Sequence, residues 1–154
     1  MMDKDRLNHS YAVGKKMVEI GKKRGLSEEE LKDLFVLGLN HDIGYEYTIN
    51  GENHNIVGGE LLRKNGFKYW KEVYYHGKIT NEYNSLYLDI LNCADMQIDK
   101  YGQDVGFTNR LTDIESRYGK DSVVLKRCIE MVKYFKSKNL IFEEKIEEKG
   151  MEKE

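Results

Sequence analysis

Proline is absent from the 154 residues of this sequence, and cysteine occurs only twice. Without proline, the breaks between elements must come from glycine and asparagine, and the 14 glycines supply many of them. The two cysteines, Cys93 and Cys128, have no metal or redox spacing, so we interpret them as buried thiols of a reduced compartment. No strand-like alternation of apolar and polar residues is sustained, which predicts helices between the breaks.

Long apolar runs are missing as well. No stretch of about 18 apolar residues exists, so we expect no membrane span, and residues 1–6 lack the apolar core of a signal peptide. A net charge of −2 gives no reason to expect a nucleic acid duplex as partner. We therefore expect one cytoplasmic domain over residues 1–140, followed by a Glu- and Lys-rich tail over 141–154 that is solvated or partly disordered.

Apolar residues at helical spacing predict an all-α bundle of about six to seven helices. The first helix runs from about residue 3 to residue 24, and Gly25 follows as a stop. The second begins at a capping box, in which the Ser27 side chain accepts from the third helical N–H and the Glu30 side chain accepts from the Ser27 N–H. Its second half is apolar almost all round, so we expect it to be a central, buried helix.

The later helices are predicted from shorter signals. A loop is expected over 43–53, a short aromatic helix over 67–75 and a longer helix over 85–100. Other helix starts are expected at residues that can cap a free N–H: Asn53 or Asn55, then Thr108 or Asn109, then Asp121.

Six polar residues lie at or beside the inner edges or ends of these helices: His9, His41, Asp42, His54, His76 and Asp95. Alone, the His41-Asp42 dipeptide fits a solvated helix end better, and the other positions shift the interpretation. Asp95 follows Leu91 by four residues and so lies on or beside a buried stripe, where a carboxylate needs a cation or strong donors. Imidazole and carboxylate ligands suit Fe, Mn, Co, Ni or Zn, and the absence of thiolates argues against a structural zinc site.

The order His, His-Asp, His, His, Asp resembles the HD-domain superfamily of metal-dependent phosphohydrolases. The resemblance is carried by Arg6-Leu7-Asn8-His9-Ser10, Leu39-Asn40-His41-Asp42-Ile43-Gly44, His54 before Gly58-Gly59-Glu60-Leu61-Leu62, His76, and Ala94-Asp95-Met96. The last of these, with Arg110-Leu111 and Arg117-Tyr118-Gly119 after it, looks like a bacterial subgroup of small stand-alone HD proteins. The resemblance as a whole spans about residues 6 to 130, and it implies a helical HD bundle with a metal site in its core.

The resemblance also implies roles for the six residues. His9, His41, Asp42 and Asp95 match the ligands of a first divalent ion, and His54 and His76 fall where two-metal members add histidines. A site with one ion and a site with two both remain open. In the two-metal case Asp42 bridges the ions, which makes it the expected catalytic residue, because a carboxylate has two oxygens to offer.

The implied activity is hydrolysis of a small phosphoester such as a nucleotide, through a metal-activated water. Tyr45 stands where many members have lysine, and it can donate to phosphate or stack a base. Lys78 and Arg110 are the candidates for neutralising phosphate charge. The double-His and Gly-Tyr-Pro signature of cyclic-di-GMP phosphodiesterases is missing, since Gly77 follows His76.

Two other activities remain open at this point. Some HD-fold proteins use a similar ligand set on a di-iron centre to activate oxygen, and the sequence does not separate the two chemistries. A non-catalytic regulator that binds a metal or a nucleotide is the second alternative.

Overall fold

The computed structural model describes residues 3–142, which form seven α-helices and one short 3₁₀ helix. In chain order the helices are α1 (Lys4–Lys23), α2 (Glu28–Asn40), α3 (His54–Lys64), α4 (Trp70–Tyr75), α5 (Leu86–Gln97), α6 (Gly106–Tyr118) and α7 (Val123–Ser137). The 3₁₀ helix spans Ile43–Tyr47, inside the expected loop. The described residues contain no strand, which confirms the all-α prediction; an isolated bridge joins Ile98 and Asp104. Most of the predicted tail, residues 143–154, lies outside the described part.

Side-chain caps begin four of the helices. The capping box at the start of α2 is confirmed, because the Glu30 N–H donates to the Ser27 hydroxyl at 3.1 Å and the Ser27 N–H donates to the Glu30 carboxylate at 2.8 Å. Asp3 caps α1, and Ser85 caps α5. At α7 the predicted cap Asp121 is wrong by one residue, since the Ser122 hydroxyl accepts from Leu125 N–H.

The other two predicted starts have different outcomes. Asn53, one of two candidates, occupies the N-cap position of α3 as predicted, but its side chain makes no cap bond, and its φ of +57° puts it in the left-handed region that asparagine tolerates. Asn55 is already inside α3, where its amide donates to the Tyr74 carbonyl at 2.9 Å. Helix α6 begins at Gly106, ahead of both predicted candidates, Thr108 and Asn109, and without a side-chain cap.

The central helix is α5 rather than α2. Helix α5 packs against α1, α2, α4, α6 and α7, and its Ile90, Leu91 and Ala94 are fully buried. On α2, Val36 and Leu39 are 43% and 37% exposed, so the expectation that this helix is buried on all sides is wrong. The apolar composition of α2 predicted burial all round, but the burial of each side chain depends on which helices pack against that face of α2.

Helices α1 and α2 make direct backbone contact at Gly14 and Gly38. A Cβ on Gly38 would lie 2.5 Å from the Gly14 Cα, which no real side chain permits. The two backbones can therefore approach closely, and this brings residue 9 of α1 near the C-terminal end of α2.

The two cysteines lie on α5 and α7. Cys93 is buried, Cys128 is partly buried, and both are free thiols. Among residues 3–142 no helix combines the length and the apolar character needed to span a membrane.

Candidate metal centre

The structure brings the six polar residues singled out by the sequence into one group, which we call the His–Asp cluster. It is formed by α1 (His9), the end of α2 (His41 and Asp42), the start of α3 (His54), the end of α4 (His76) and α5 (Asp95). The cluster is largely closed to solvent: His41 is fully buried, and Asp42 is 3% exposed. The side chains of His54 and Asp95 are the more open ones, at 24% and 27%.

Asp42 lies in the middle of the cluster, with imidazoles on both sides. Its Oδ2 atom is 3.3 Å from His41 Nε2 and 3.6 Å from His9 Nε2. Its Oδ1 atom is 3.3 Å from His54 Nε2 and 3.5 Å from His76 Nε2. One carboxylate thus separates two pairs of histidines, and each oxygen faces one pair.

Asp95 closes one side of this arrangement. Its Oδ1 atom is 2.8 Å from His9 Nε2 and 3.3 Å from His41 Nε2. Donor atoms of His9, His41 and Asp95 all lie within 4.8 Å of one another, and so do donor atoms of His41, Asp42 and His76. Each set is compact enough for a single ion.

Backbone carbonyls fix the orientation of all four imidazole rings. His41 Nδ1 lies 2.7 Å from the Gly38 carbonyl, and His76 Nδ1 lies 2.6 Å from the Val73 carbonyl. His54 and His9 make the same contact with the carbonyls of Gly51 and Asp99, at 3.1 and 2.9 Å. Because a carbonyl only accepts, each Nδ1 carries the proton, and each Nε2 is left with a lone pair when the ring is neutral. Metal-binding histidines commonly have this arrangement.

The Nε2 atoms of His41 and His76 are buried and have no hydrogen-bond partner among the described residues. Burial alone would lower the pKa of His41, but the charges of Asp42 and Asp95 hold it well above its usual range. Burial would raise the pKa of Asp42, yet the neighbouring His41 holds it well below its usual range. The cluster therefore favours positive charge at its centre.

A divalent ion fits this donor set. It would bind the lone pairs of the imidazole Nε2 atoms and at the same time offset the negative charges of Asp42 and Asp95. A single proton on one ring achieves this only in part. The donors are nitrogen and oxygen, with no thiolate, as iron, manganese, cobalt, nickel and zinc accept.

A close backbone contact fixes the position of the segment after Asp42 relative to the start of α3, which carries His54. A Cβ on Gly44 would lie 1.9 Å from the His54 carbonyl oxygen and 2.8 Å from the Gly58 nitrogen. The 3₁₀ helix that follows Asp42 therefore rests directly on the first turn of α3, which begins with His54. Only glycine permits this approach.

The family model for the HD domain matches residues 6–111 of the chain. The chain belongs to the HD domain family. No curated protein and no solved structure matches it. Membership confirms the resemblance drawn from the sequence and places this HD domain in a superfamily of metal-dependent phosphohydrolases. The helical bundle described above is the fold expected of that family.

A pocket of 210 Å³ opens onto the His–Asp cluster of this HD domain. Besides cluster residues, three cationic side chains and one phenol line it: Arg6, Lys100, Arg110 and Tyr45. The sequence predicted Tyr45 and Arg110 and did not single out Arg6 or Lys100 as functional. Arg6 has a detectable signal, since it precedes His9 by one helical turn and shares its face.

Arg6 and Tyr45 form one contact chain with the cluster. The Arg6 Nη1 donates to Asp42 Oδ2 at 2.9 Å, and its guanidinium carbon lies 3.8 Å from the centre of the Tyr45 ring. The Tyr45 ring packs on His54, with 4.2 Å between ring centres. Burial and the charge of Asp42 raise the pKa of Tyr45, so its phenol stays a neutral donor at physiological pH.

Lys78, the third residue predicted to bind substrate, does not line this pocket. It is exposed and borders a separate cavity of 870 Å³ together with Ile79, Arg127 and Tyr134. Gly77, with a φ of +102°, reverses the chain directly after His76. Two neighbours in sequence therefore face different cavities.

A buried asparagine anchors that chain reversal to α5. Asn92 is 4% exposed, its side-chain oxygen accepts from Gly77 N–H at 2.8 Å, and its amide donates to the Lys78 carbonyl at 3.3 Å. Asn92 also precedes Asp95 by one helical turn. It thus ties the segment that follows His76 to the helix that carries Asp95.

Replacing Asn92 with alanine removes both bonds, and we expect metal affinity to fall about tenfold, because the segment after His76 is then no longer tied to the helix that carries Asp95. Titration against a chelating dye measures this. Asn65→Ala is the matched control, since Asn65 is exposed, lines neither cavity near the cluster, and donates to the Leu61 carbonyl of its own helix at 2.8 Å. An Asn92→Ala protein that is less stable but binds metal like Asn65→Ala would assign Asn92 a purely structural role.

Proposed function

We propose that this HD domain protein is a metal-dependent phosphohydrolase that acts on a nucleotide or a related small phosphoester. One observation carries the proposal: a buried carboxylate, Asp42, lies between two pairs of oriented histidines at the base of a pocket lined by cations. The arrangement combines ligands for metal with groups that attract a phosphate.

The proposed ligands divide according to the two oxygens of Asp42. His9, His41, Asp95 and Asp42 Oδ2 would hold a first ion, and His54, His76 and Asp42 Oδ1 a second. A bound divalent ion supplies Lewis-acid chemistry: it lowers the pKa of a water and offsets the charge of phosphoryl oxygens. In this scheme Asp42 is the catalytic residue, because it is the one ligand that faces both positions.

The residues around the pocket supply the phosphate contacts. Arg6 reaches Asp42 from α1, so its guanidinium is already held at the metal side of the pocket, where it can donate to a phosphoryl oxygen. Arg110 lines the pocket from α6 and adds a second permanent positive charge. Tyr45 is a neutral donor beside Arg6 and offers a ring face to a base.

A nucleotide panel tests this proposal. We expect protein loaded with Mn, Co, Ni, Zn or Fe to hydrolyse at least one nucleotide or p-nitrophenyl phosphate, under anaerobic conditions as well as in air. A chelator should abolish turnover, and added metal should restore it. Oxygen uptake by the iron form without any hydrolysis would identify a di-iron oxygenase instead. Metal binding with every substrate inert would identify a non-catalytic regulator.

A further inference from the structure

A second cavity adjoins the metal pocket along α6. This cavity, which we call the α6 groove, has a volume of 320 Å³, and its lining includes Lys100, Tyr101, Asn109, Arg110, Asp113 and Arg117. Lys100 and Arg110 line both the α6 groove and the metal pocket, so the two cavities border on the same two side chains.

The acidic residues of the α6 groove are already satisfied within the protein. The Asp113 carboxylate accepts two bonds from Arg117, at 3.2 and 2.5 Å, which pairs one cation with one anion. The Asp99 carboxylate accepts the backbone N–H groups of Tyr101 and Gln103, both at 2.9 Å. The Asp113 pKa is lowered chiefly by its bond to Arg117, and the charges of Arg110 and Lys100 lower it further from beyond ion-pair distance.

The two cations at the junction have no such partner. Among the described residues, neither Lys100 nor Arg110 forms an ion pair with a carboxylate. The Arg110 Nε donates to the Met96 carbonyl at 2.9 Å, which anchors the guanidinium to the end of α5. Two unpaired positive charges, one of them held in place, therefore face the boundary between the cavities.

The metal pocket is small for a complete small-molecule site. Its 210 Å³ falls below the range of about 300 to 1,000 Å³ that small-molecule sites occupy. Adding the 320 Å³ of the α6 groove brings the combined space into that range. The exposed Tyr101, at 54%, also offers the groove a ring face.

We propose that the α6 groove binds a second anionic group of the substrate, beyond the phosphoryl group at the His–Asp cluster. The inference rests on the proposed function and narrows its substrate class to phosphoesters with a further phosphate, such as nucleoside diphosphates, over nucleoside monophosphates. Lys100 and Arg110 contact the second phosphate, and the groove beyond them holds what is attached to it.

Equilibrium binding tests this, with both probes analysed afterwards so that only intact probe is counted. The two probes are AMP and α,β-methylene-ADP, which carries a second phosphorus group joined to the first by a methylene bridge that resists hydrolysis. We expect Lys100→Ala to reduce the preference for α,β-methylene-ADP over AMP about tenfold, as loss of a charge-assisted contact does. Lys120→Ala is the matched control, because Lys120 is an exposed lysine outside both cavities.

The ratio of the two affinities is the deciding quantity, since any general effect of metal loading cancels in it. An unchanged ratio in Lys100→Ala, at unchanged thermal stability, would overturn the α6 groove as a phosphate site. This outcome is separate from the nucleotide panel. If the wild-type protein hydrolyses nothing but Lys100→Ala shifts the ratio, the phosphate site in the α6 groove is supported and the hydrolase proposal is refuted. If the protein is active and the ratio is unchanged, the hydrolase proposal is supported and the phosphate site is refuted.

Discussion

Asp42→Asn protein is expected to lose most of its bound metal and at least about a thousandfold in turnover, equivalent to about 4 kcal/mol of transition-state stabilisation. The substitution keeps the size of the side chain and removes its negative charge. Four imidazole Nε2 atoms lie within 3.6 Å of the two Asp42 oxygens, so no other residue compensates. The amide would also present an N–H₂ group to one of the two histidine pairs, and this group cannot bind a metal ion and donates to an imidazole lone pair instead.

The control for this substitution is Asp89→Asn. Asp89 lies on the central helix α5 and is partly buried, and its carboxylate accepts from the Tyr134 hydroxyl at 3.0 Å. An asparagine there can still accept that bond, so metal content and turnover are expected to stay within about twofold of the wild type. Elemental analysis and steady-state kinetics measure both variants. Full activity of Asp42→Asn with its metal retained would refute the two-sided role of this carboxylate.

Gly44→Ala is expected to destabilise the protein by about 3 kcal/mol, at the upper end of what overpacking costs. That corresponds to a fall in Tm of about 10 °C. The new methyl would lie 1.9 Å from the His54 carbonyl oxygen, and neither a rotamer nor a flexible side chain can relieve a contact with backbone. The first turn of α3 must move instead, and it carries His54 away from Asp42. Metal affinity should fall together with stability.

Gly66→Ala is the control that separates a loss of stability from a loss of metal affinity. Gly66 ends α3 at a φ of +78°, and a Cβ there would meet no atom within 4 Å. The substitution therefore costs only left-handed strain, about 1 kcal/mol, and leaves His54 in place. Thermal denaturation and metal titration of both variants give the comparison. Equal losses of metal affinity in Gly44→Ala and Gly66→Ala would show that the contact at Gly44 does not position His54.

The sequence predicted one of the helix caps of this fold in full and missed others. The capping box of Ser27 and Glu30 involves residues three apart, so its bonds depend only on the first turn of the helix. The start of α7 was missed because Asp121 and Ser122 are both good caps, and only the backbone path selects between them. The central position of α5 was missed because burial depends on which helices surround an element.

The six residues of the His–Asp cluster were found through their order along the chain and the family they resemble. The residues that surround the cluster were harder to find, because each acts through a partner distant in sequence. Lys100 reaches the pocket only because α5 and α6 pack together, and Asn92 bonds a turn fourteen and fifteen residues away. Lys78 shows that closeness in sequence is not enough, since it follows His76 by two residues and lines a different cavity.

Three of the four histidines in the cluster bond the carbonyl three residues before them, at Gly38, Gly51 and Val73. The carbonyl belongs to the main chain, so the bond itself does not depend on the side chain of that earlier residue; at Gly38 and Gly51 a different constraint, the closeness of Gly14 and of the Tyr45 ring, requires glycine. Each of these three rings is thus oriented by a contact within one turn of its own segment, and tertiary packing has the separate task of bringing the turns together.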